Sequence, residues 1–306
     1  MSDLILTWLV HQAGILAAHL VQIAVNTARA LLTIVLLFIP IWYFERRQGS
    51  DTSRYGRRSF AHDLAYTLFY DTGVFRVLGA SLIWGAVQDQ LGFMRIGLLG
   101  DLPILVVGVL YVLITDVIGY WSHRAEHSIP FLWQFHSVHH APEEINFLTS
   151  ARVHPLPRLM WGTIDVILLI LLGVPPTMWF PLMLVQSFLI AVQHADLDWS
   201  YGRFYPILVS PVFHRMHHST DRRDFDTNYS NKLFGIWDYL FGTANPSRTR
   251  PIALGVEGQP PEPTLMGQFW GPFRRIARSG IVPELPASSA TPHQDDPQDR
   301  SLVARS

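Results

Sequence analysis

The chain has 306 residues, 49% hydrophobic and 15% charged, with a formal net charge of −1 at pH 7. Soluble domains carry about 25% charged residues, so the deficit argues against a free soluble globule, and the near-neutral balance argues against a nucleic-acid partner. The absence of cysteine excludes disulfides, thiolate-held zinc, iron–sulfur clusters, thiolate-ligated haem and cysteine nucleophiles.

Residues 4–25 are apolar but interrupted by His11, Gln12, His19 and Gln22, a pattern that fits either a span or an interfacial segment. They lack the basic start and small-residue cleavage site of a signal peptide, so an uncleaved multi-pass protein is expected. Residues 30–44 carry no charge, and 45–58 hold five arginines against Glu45 and Asp51, which places that loop in the cytoplasm. Residues 64–87 form a weaker span containing Asp71 and Arg76, and 102–120 a stronger one with Asp116 alone. Residues 159–195 contain two apolar runs around Gly173-Val174-Pro175-Pro176, with Asp165 the lone charge. A spanning helix needs about 20 apolar residues, so these individually short runs read as a tight hairpin, tilted or not fully crossing, or as two full spans. Crossing out through 64–87 and back through 102–120 returns the chain to the cytoplasm just before His123. The hairpin leaves and returns on that same side, just before His194.

Beyond residue 244, the stretch 265–279 mixes aromatics with Arg274, Arg275 and Arg278. It fits a segment on an anionic membrane surface or an ordinary surface helix. Residues 284–306 are polar and Pro-rich, and a disordered tail is expected. The expected organisation is an N-terminal apolar or interfacial segment 1–29, a membrane-embedded domain 30–244, a membrane-surface segment 245–283 and the tail. The fold class is all-α and integral to the membrane. About four transmembrane helices, the hairpin included, carry a cytoplasmic helical cap. No internal repeat or Gly-rich phosphate or dinucleotide loop is present.

Of 14 histidines, ten lie between 123 and 218. Eight fall in three boxes, HRAEH (123–127), HSVHH (136–140) and HRMHH (214–218). Spacing of i, i+4 puts two rings on one helical face, and the i, i+3, i+4 spacing of the other boxes is expected to point three the same way. His154 and His194 lie on the same side of the membrane. His11, His19, His62 and His293 read as packed, interfacial or solvated. Burying eight imidazoles without a partner would leave many polar groups unsatisfied. Imidazole suits zinc, copper, iron and nickel, and one tetrahedral ion takes four ligands, so eight to ten histidines imply two metals. Asp116 lies about two turns before His123. It reads as a carboxylate holding a ligand imidazole by its other nitrogen, or as a polar helix end. Asp198, four residues after His194, pairs with it as ligand or as orienter. Arg124 and Arg215 read as orienting or phosphate contacts, or as surface ion pairs.

The order of the boxes resembles the fatty acid hydroxylase and sterol desaturase superfamily, whose pattern is H-x3–4-H, H-x2-H-H and a distal H-x2-H-H. Neighbouring features agree: Asp116 through Tyr120-Trp121, Leu132-Trp133, and Arg152-x-His154-Pro155. Behind the third box, Asp226-Thr-Asn228-Tyr229 and Trp237-Asp238-x-x-Phe241-Gly242-Thr243 resemble the closing motif, with Ser230 where a glycine commonly follows. The resemblance covers roughly 102–243. It implies a membrane oxidoreductase with a histidine-ligated di-iron centre, two Fe2+, using O2 to hydroxylate, oxidise or desaturate a lipid. His123, His127, His136, His139, His140, His214, His217 and His218 carry over as ligands, with His154 and His194 as additions. Asp116, Asp198 and Asn228 stand as candidates behind them. An unactivated C–H bond offers side chains nothing to exploit, so a redox cofactor is required. Without a nicotinamide or flavin motif, a separate redox protein is expected as electron donor. HRAEH also reads as H-x-x-E-H, an inverted zinc-peptidase pattern with Glu126 as base, but that leaves two boxes unexplained. A metal transporter would distribute its histidines through the spans. Which lipid is oxidised, and whether by hydroxylation or desaturation, is not encoded in the spacing.

Overall fold

The computed structural model describes residues 2–75, 102–174 and 176–279, with positions 83, 86, 87 and 90 singly between them. The segment 64–87 is therefore described in part, and the tail 284–306 lies outside the described residues. No helix breaker separates residues 4–25 from 30–44, and both belong to one helix, α1, Ser2–Arg47. It runs straight through the expected boundary at 29 and 30. At 1.5 Å per residue it is about 69 Å long, twice a ~30 Å hydrocarbon core. Its Leu20–Arg47 portion has mean hydropathy 1.9 and is 6% buried. A core helix of a soluble domain would be covered; this one leaves Leu31, Leu32, Val35, Leu36 and Ile39 exposed.

α2 is Arg58–Asp71 and α3 is Ile104–Ser128. α3 has mean hydropathy 2.1 and, like Leu20–Arg47, is long and apolar enough to cross a membrane. Pro130 disfavours helical geometry at the residue before it. Ile129 is accordingly extended (φ −101°, ψ 111°), and α4, Pro130–His140, begins at once. That reversal folds the second histidine box back beside the first. α5, Pro155–Leu171, and α6, Pro176–His194, form the hairpin, and Gly173 between them has φ 68°, where glycine carries no Cβ penalty. These helices are about 26 and 29 Å long. Short helices follow: α7, Pro211–His217, capped by the Ser210 hydroxyl on the Phe213 N–H (3.2 Å); α8, Arg222–Phe225; α9, Ile236–Leu240; and α10, Leu265–Ser279. Among the described residues there is no strand, and two isolated bridges pair Leu208 with Phe234 and Ser219 with Leu254.

Two apolar clusters bracket the histidine-bearing region. Val107, Tyr111, Leu169 and Val174 join α3 to the hairpin. A Cβ on Gly108 would stand 3.1 Å from Met178, so the glycine lets α6 approach α3 closely. At the other end, Ile41 of α1 packs with Phe147, Leu148, Ala191, Ala195 and Leu197.

A buried charge pair ties the link after α4 to α2. Arg152 Nε donates to Asp63 Oδ1 at 2.5 Å and its Nη2 to the Ser59 carbonyl at 2.6 Å. The other Asp63 oxygen accepts from Asn146 (2.6 Å) and Thr149 (2.8 Å). Removing one partner of a buried pair costs about 3–5 kcal/mol, because the survivor is left uncompensated. Asp63→Ala should therefore reduce the unfolding free energy of detergent-purified protein by an amount in that range, read from a lowered denaturation midpoint; an unchanged midpoint would show that Arg152 finds another partner.

Candidate metal centre

The imidazoles converge from four elements: His123 and His127 from the end of α3, His136, His139 and His140 from α4, His194 at the end of α6, and His214, His217 and His218 from α7 and its C-cap. They form two groups, His123, His127, His136, His140 and His217, and His139, His194, His214 and His218. Within each group the potential ligand atoms lie within 4.8 Å of one another, and every residue is buried.

The expectation that each H-x2-H-H box points its three rings one way is corrected. Residues i and i+4 differ by about 40° around a helix and i and i+3 by about 60° in the opposite sense, so a tightly packed box cannot aim all three at one point. His136 and His140 enter the first group and His139 the second; His214 and His218 enter the second and His217 the first. The boxes alone leave the second group three imidazoles, and His194 brings it to four.

Hydrogen bonds fix the tautomers. His123 Nδ1 lies 2.7 Å from the Tyr229 carbonyl, His217 Nδ1 2.7 Å from that of Thr227, and His194 Nδ1 2.8 Å from that of Ile190. A carbonyl can only accept, so each Nδ1 carries the proton and each Nε2 presents a lone pair inward. His136 Nδ1 lies 3.2 Å from Glu126 Oε2, which orients that ring. Yet the Nε2 atoms crowd together: His123 to His136 and to His217 at 3.1 Å each, His194 to His214 at 3.0 Å. Two lone pairs at that distance repel. Nitrogens sharing a metal at about 2.0–2.1 Å stand about 3 Å apart, so the donor set fits cations at the centre of each group.

One loop serves three rings of the first group. Residues 226–230 supply the Thr227 carbonyl to His217, the Tyr229 carbonyl to His123, and the Asp226 carboxylate 3.5 Å from His127 Nδ1. Asn228 within it has φ 57°, a left-handed conformation that asparagine tolerates better than most residues. Its side chain donates to the Phe213 carbonyl (3.0 Å) and accepts from Asn245 N (2.7 Å). Asp238 grips the loop through the backbone N–H of Tyr229 (2.7 Å) and Ser230 (2.8 Å). Ser230 thus serves through its backbone N–H, a role any residue but proline fills.

Other candidates fall elsewhere. Asp116 touches none of the imidazoles: its carboxylate accepts from Leu233 N (2.7 Å), Phe234 N (3.2 Å) and Trp237 Nε1 (2.5 Å). It shares a face with His123, but seven residues displace it about 10 Å along the axis, beyond reach of the ring. His154 joins neither group: its Nδ1 accepts from Leu156 N (3.1 Å), and its Nε2 meets the Phe269 carbonyl (3.0 Å). Asp198 is half-exposed and pairs with Arg250 at 2.5 Å, not with His194. Arg124 donates to Tyr120 OH (3.0 Å) and lies over Trp121. Arg215 is buried and donates to Asp196 at 2.9 Å. Residues that sequence reasoning did not select for positioning are Glu126, whose other oxygen accepts from Trp161 Nε1 (2.9 Å), and Asp238 and Asp196. Asp238 lay within the closing motif, but its role is not legible without the turn it holds.

Burial, reinforced by neighbouring rings, holds His136, His139, His140, His214, His217 and His218 far below the ordinary imidazole range. These rings are neutral, the form a metal requires.

Residues 108–243 match the family model described as fatty acid hydroxylase. The chain is similar to an ornithine lipid hydroxylase of Rhizobium tropici, 31% identical over 179 residues, 58% of this chain and 54% of that one. It is similar to a Homo sapiens alkylglycerol monooxygenase, 32% over 128 residues, 40% of this chain and 27% of that one. A Delta(7)-sterol-C5(6)-desaturase of Nicotiana tabacum is 31% identical over 157 residues, 49% and 54% of the two chains. The match thus spans about half or less of these curated relatives' lengths. No solved structure matches at a significant level.

Two outcomes follow from this geometry. Asp238→Ala frees the Tyr229 carbonyl from its register, and the loss of such an outer contact weakens metal binding about 10–100-fold; titration of the purified protein with Co2+, followed by its visible absorption, measures this. In metal-free protein, an unfolded chain takes up protons below about pH 6.5 that the buried rings refuse, so stability is full above that value and falls as pH drops below it. Melting curves of chelator-treated protein should show that decline, and a flat profile would contradict neutral burial.

Proposed function

We propose, for a chain whose residues 108–243 belong to the fatty acid hydroxylase family within the fatty acid hydroxylase and sterol desaturase superfamily, a multi-pass membrane oxidoreductase that uses O2 to hydroxylate, oxidise or desaturate a lipid at a di-iron centre. The observation that carries it is the pair of buried imidazole groups whose Nε2 lone pairs face one another. His123, His127, His136, His140 and His217 would hold one Fe2+, and His139, His194, His214 and His218 the other. Bound iron supplies the redox capacity that attack on an unactivated C–H bond demands.

The protein's own groups do the rest. The Thr227, Tyr229 and Ile190 carbonyls keep three rings in the tautomer that presents Nε2, and Glu126 orients a fourth, His136. Burial of all nine rings excludes bulk water. Exposed apolar side chains on α1 and α3, among them Val35, Leu36, Leu105 and Val109, support a bilayer setting from which a lipid reaches the centre. The relatives' names speak of an ornithine lipid, an alkylglycerol and a sterol, so oxidation of a lipid is the common ground.

The arginines at 45–58 favour a cytoplasmic histidine face. About four spans, drawn from α1, 64–87, α3 and the α5–α6 hairpin, suit that parity, within an embedded domain 30–244. Exposed Met266, Trp270 and Phe273 beside Arg274 and Arg278 favour α10 resting on the membrane surface. A separate redox protein would deliver electrons from the cytoplasm. The peptidase reading fares worse: both Glu126 oxygens are engaged, by His136 and Trp161, leaving no free base. For a transporter, the histidines gather at one depth instead of along a path.

Metal analysis of protein reconstituted anaerobically with Fe2+ should return about two irons per chain, and His139→Ala should abolish the O2-dependent lipid product while the protein still reaches the membrane. Lipid extracts from cells with active and His139→Ala protein would reveal the product as a gain of oxygen or a loss of hydrogen. One zinc per chain, with peptidase activity lost in Glu126→Gln, would sink the proposal.

A further inference from the structure

Away from the imidazoles, a cavity of about 200 Å³ opens between residues 51–57, 143–144 and 251–254. Its floor is basic. Arg54, Arg215 and Arg250 all reach the carboxylate of Asp196, and Asp198 shares Arg250, so three guanidiniums face two carboxylates. The Arg215 side chain, 9% exposed, lines the cavity, and its Nε and Nη1, closed to solvent just behind the wall, meet no acceptor among the described residues. A buried charged donor left unmade carries the full cost of its desolvation. The rim is acidic: Asp51 and Glu144 pair with Arg57, while Glu143, exposed beside them, forms no ion pair among the described residues.

Positive below and negative above, this arrangement matches a ligand that carries both signs. We propose that the cavity binds a zwitterionic headgroup, its phosphate or carboxylate on Arg215 and its primary ammonium on Glu143. The ammonium is primary because carboxylates hold it through N–H donors, whereas a quaternary ammonium is held by aromatic faces, and no aromatic side chain among the described residues lines this cavity. Ethanolamine-type and amino-acid-type headgroups fit; choline does not. The site goes beyond the oxidation chemistry and does not depend on it, although Arg215 adjoins His214 in α7 and so places the headgroup next to the second histidine group.

The test uses the purified full chain in detergent with soluble glycerophosphoethanolamine, followed by its phosphorus NMR line width. Saturable broadening is expected, with glycerophosphocholine at least about tenfold weaker (~1.4 kcal/mol). Glu143→Gln should erase that preference. Arg215→Lys should weaken both ligands, and Ala253→Tyr, which fills the cavity without touching a charge, should do the same if Arg215→Lys fails to fold. In nanodiscs, loss of the broadening with phosphatidylethanolamine but not with phosphatidylcholine assigns the site to membrane lipid; its persistence in both assigns it to a soluble metabolite. Equal binding of the two headgroups, or binding unaffected by Glu143→Gln and Ala253→Tyr, would overturn the proposal. Iron content and lipid oxidation read out separately, so its failure leaves the di-iron reading untouched.

Discussion

Nine imidazoles packed into two buried groups, several with lone pairs fixed toward one another, are the arrangement to which the rest of the described chain answers. Such an assembly has no stability of its own. The rings forgo water, their inward nitrogens repel, and van der Waals packing alone does not offset unsatisfied polar burial. The surrounding elements therefore have to impose it, and the cations it fits would relieve it.

The imposition is made largely by carboxylates that never meet the centre. Asp238 sets the 226–230 loop, and that loop orients His123 and His217. Asp116 anchors the following segment to α3 through Leu233, Phe234 and Trp237, and Asp196 holds Arg215 beside His214. Each carboxylate accepts several hydrogen bonds, and buried charges are tolerated only on that condition. The short irregular stretch after the third box is thus as ordered as the helices, by hydrogen bonding instead of apolar packing.

Much of this was legible in the sequence. Helical spacing alone put His123 above His127 and His136 above His140, because a period of 3.6 is local and robust. The charge-poor runs announced the helices now seen as α1, α3, α5 and α6. Other features were not legible. Nothing local decides that 4–25 and 30–44 share one helix, or that Asp116 faces residues 233–237, more than a hundred positions on. His154 and His194 looked equivalent as lone histidines near apolar segments, yet one caps α5 and the other completes a group of four.

By itself the sequence determined the all-helical character, the stretches long and apolar enough to cross a membrane and the pairing of histidines within each box, since each follows from composition or from spacing within a turn or two. Tertiary structure alone decided how those histidines divide, which ninth joins them, and which carbonyls and carboxylates set their tautomers. These depend on distances between α3, α4, α6 and α7, and the length of chain between two helices does not specify the direction from which one ring meets another.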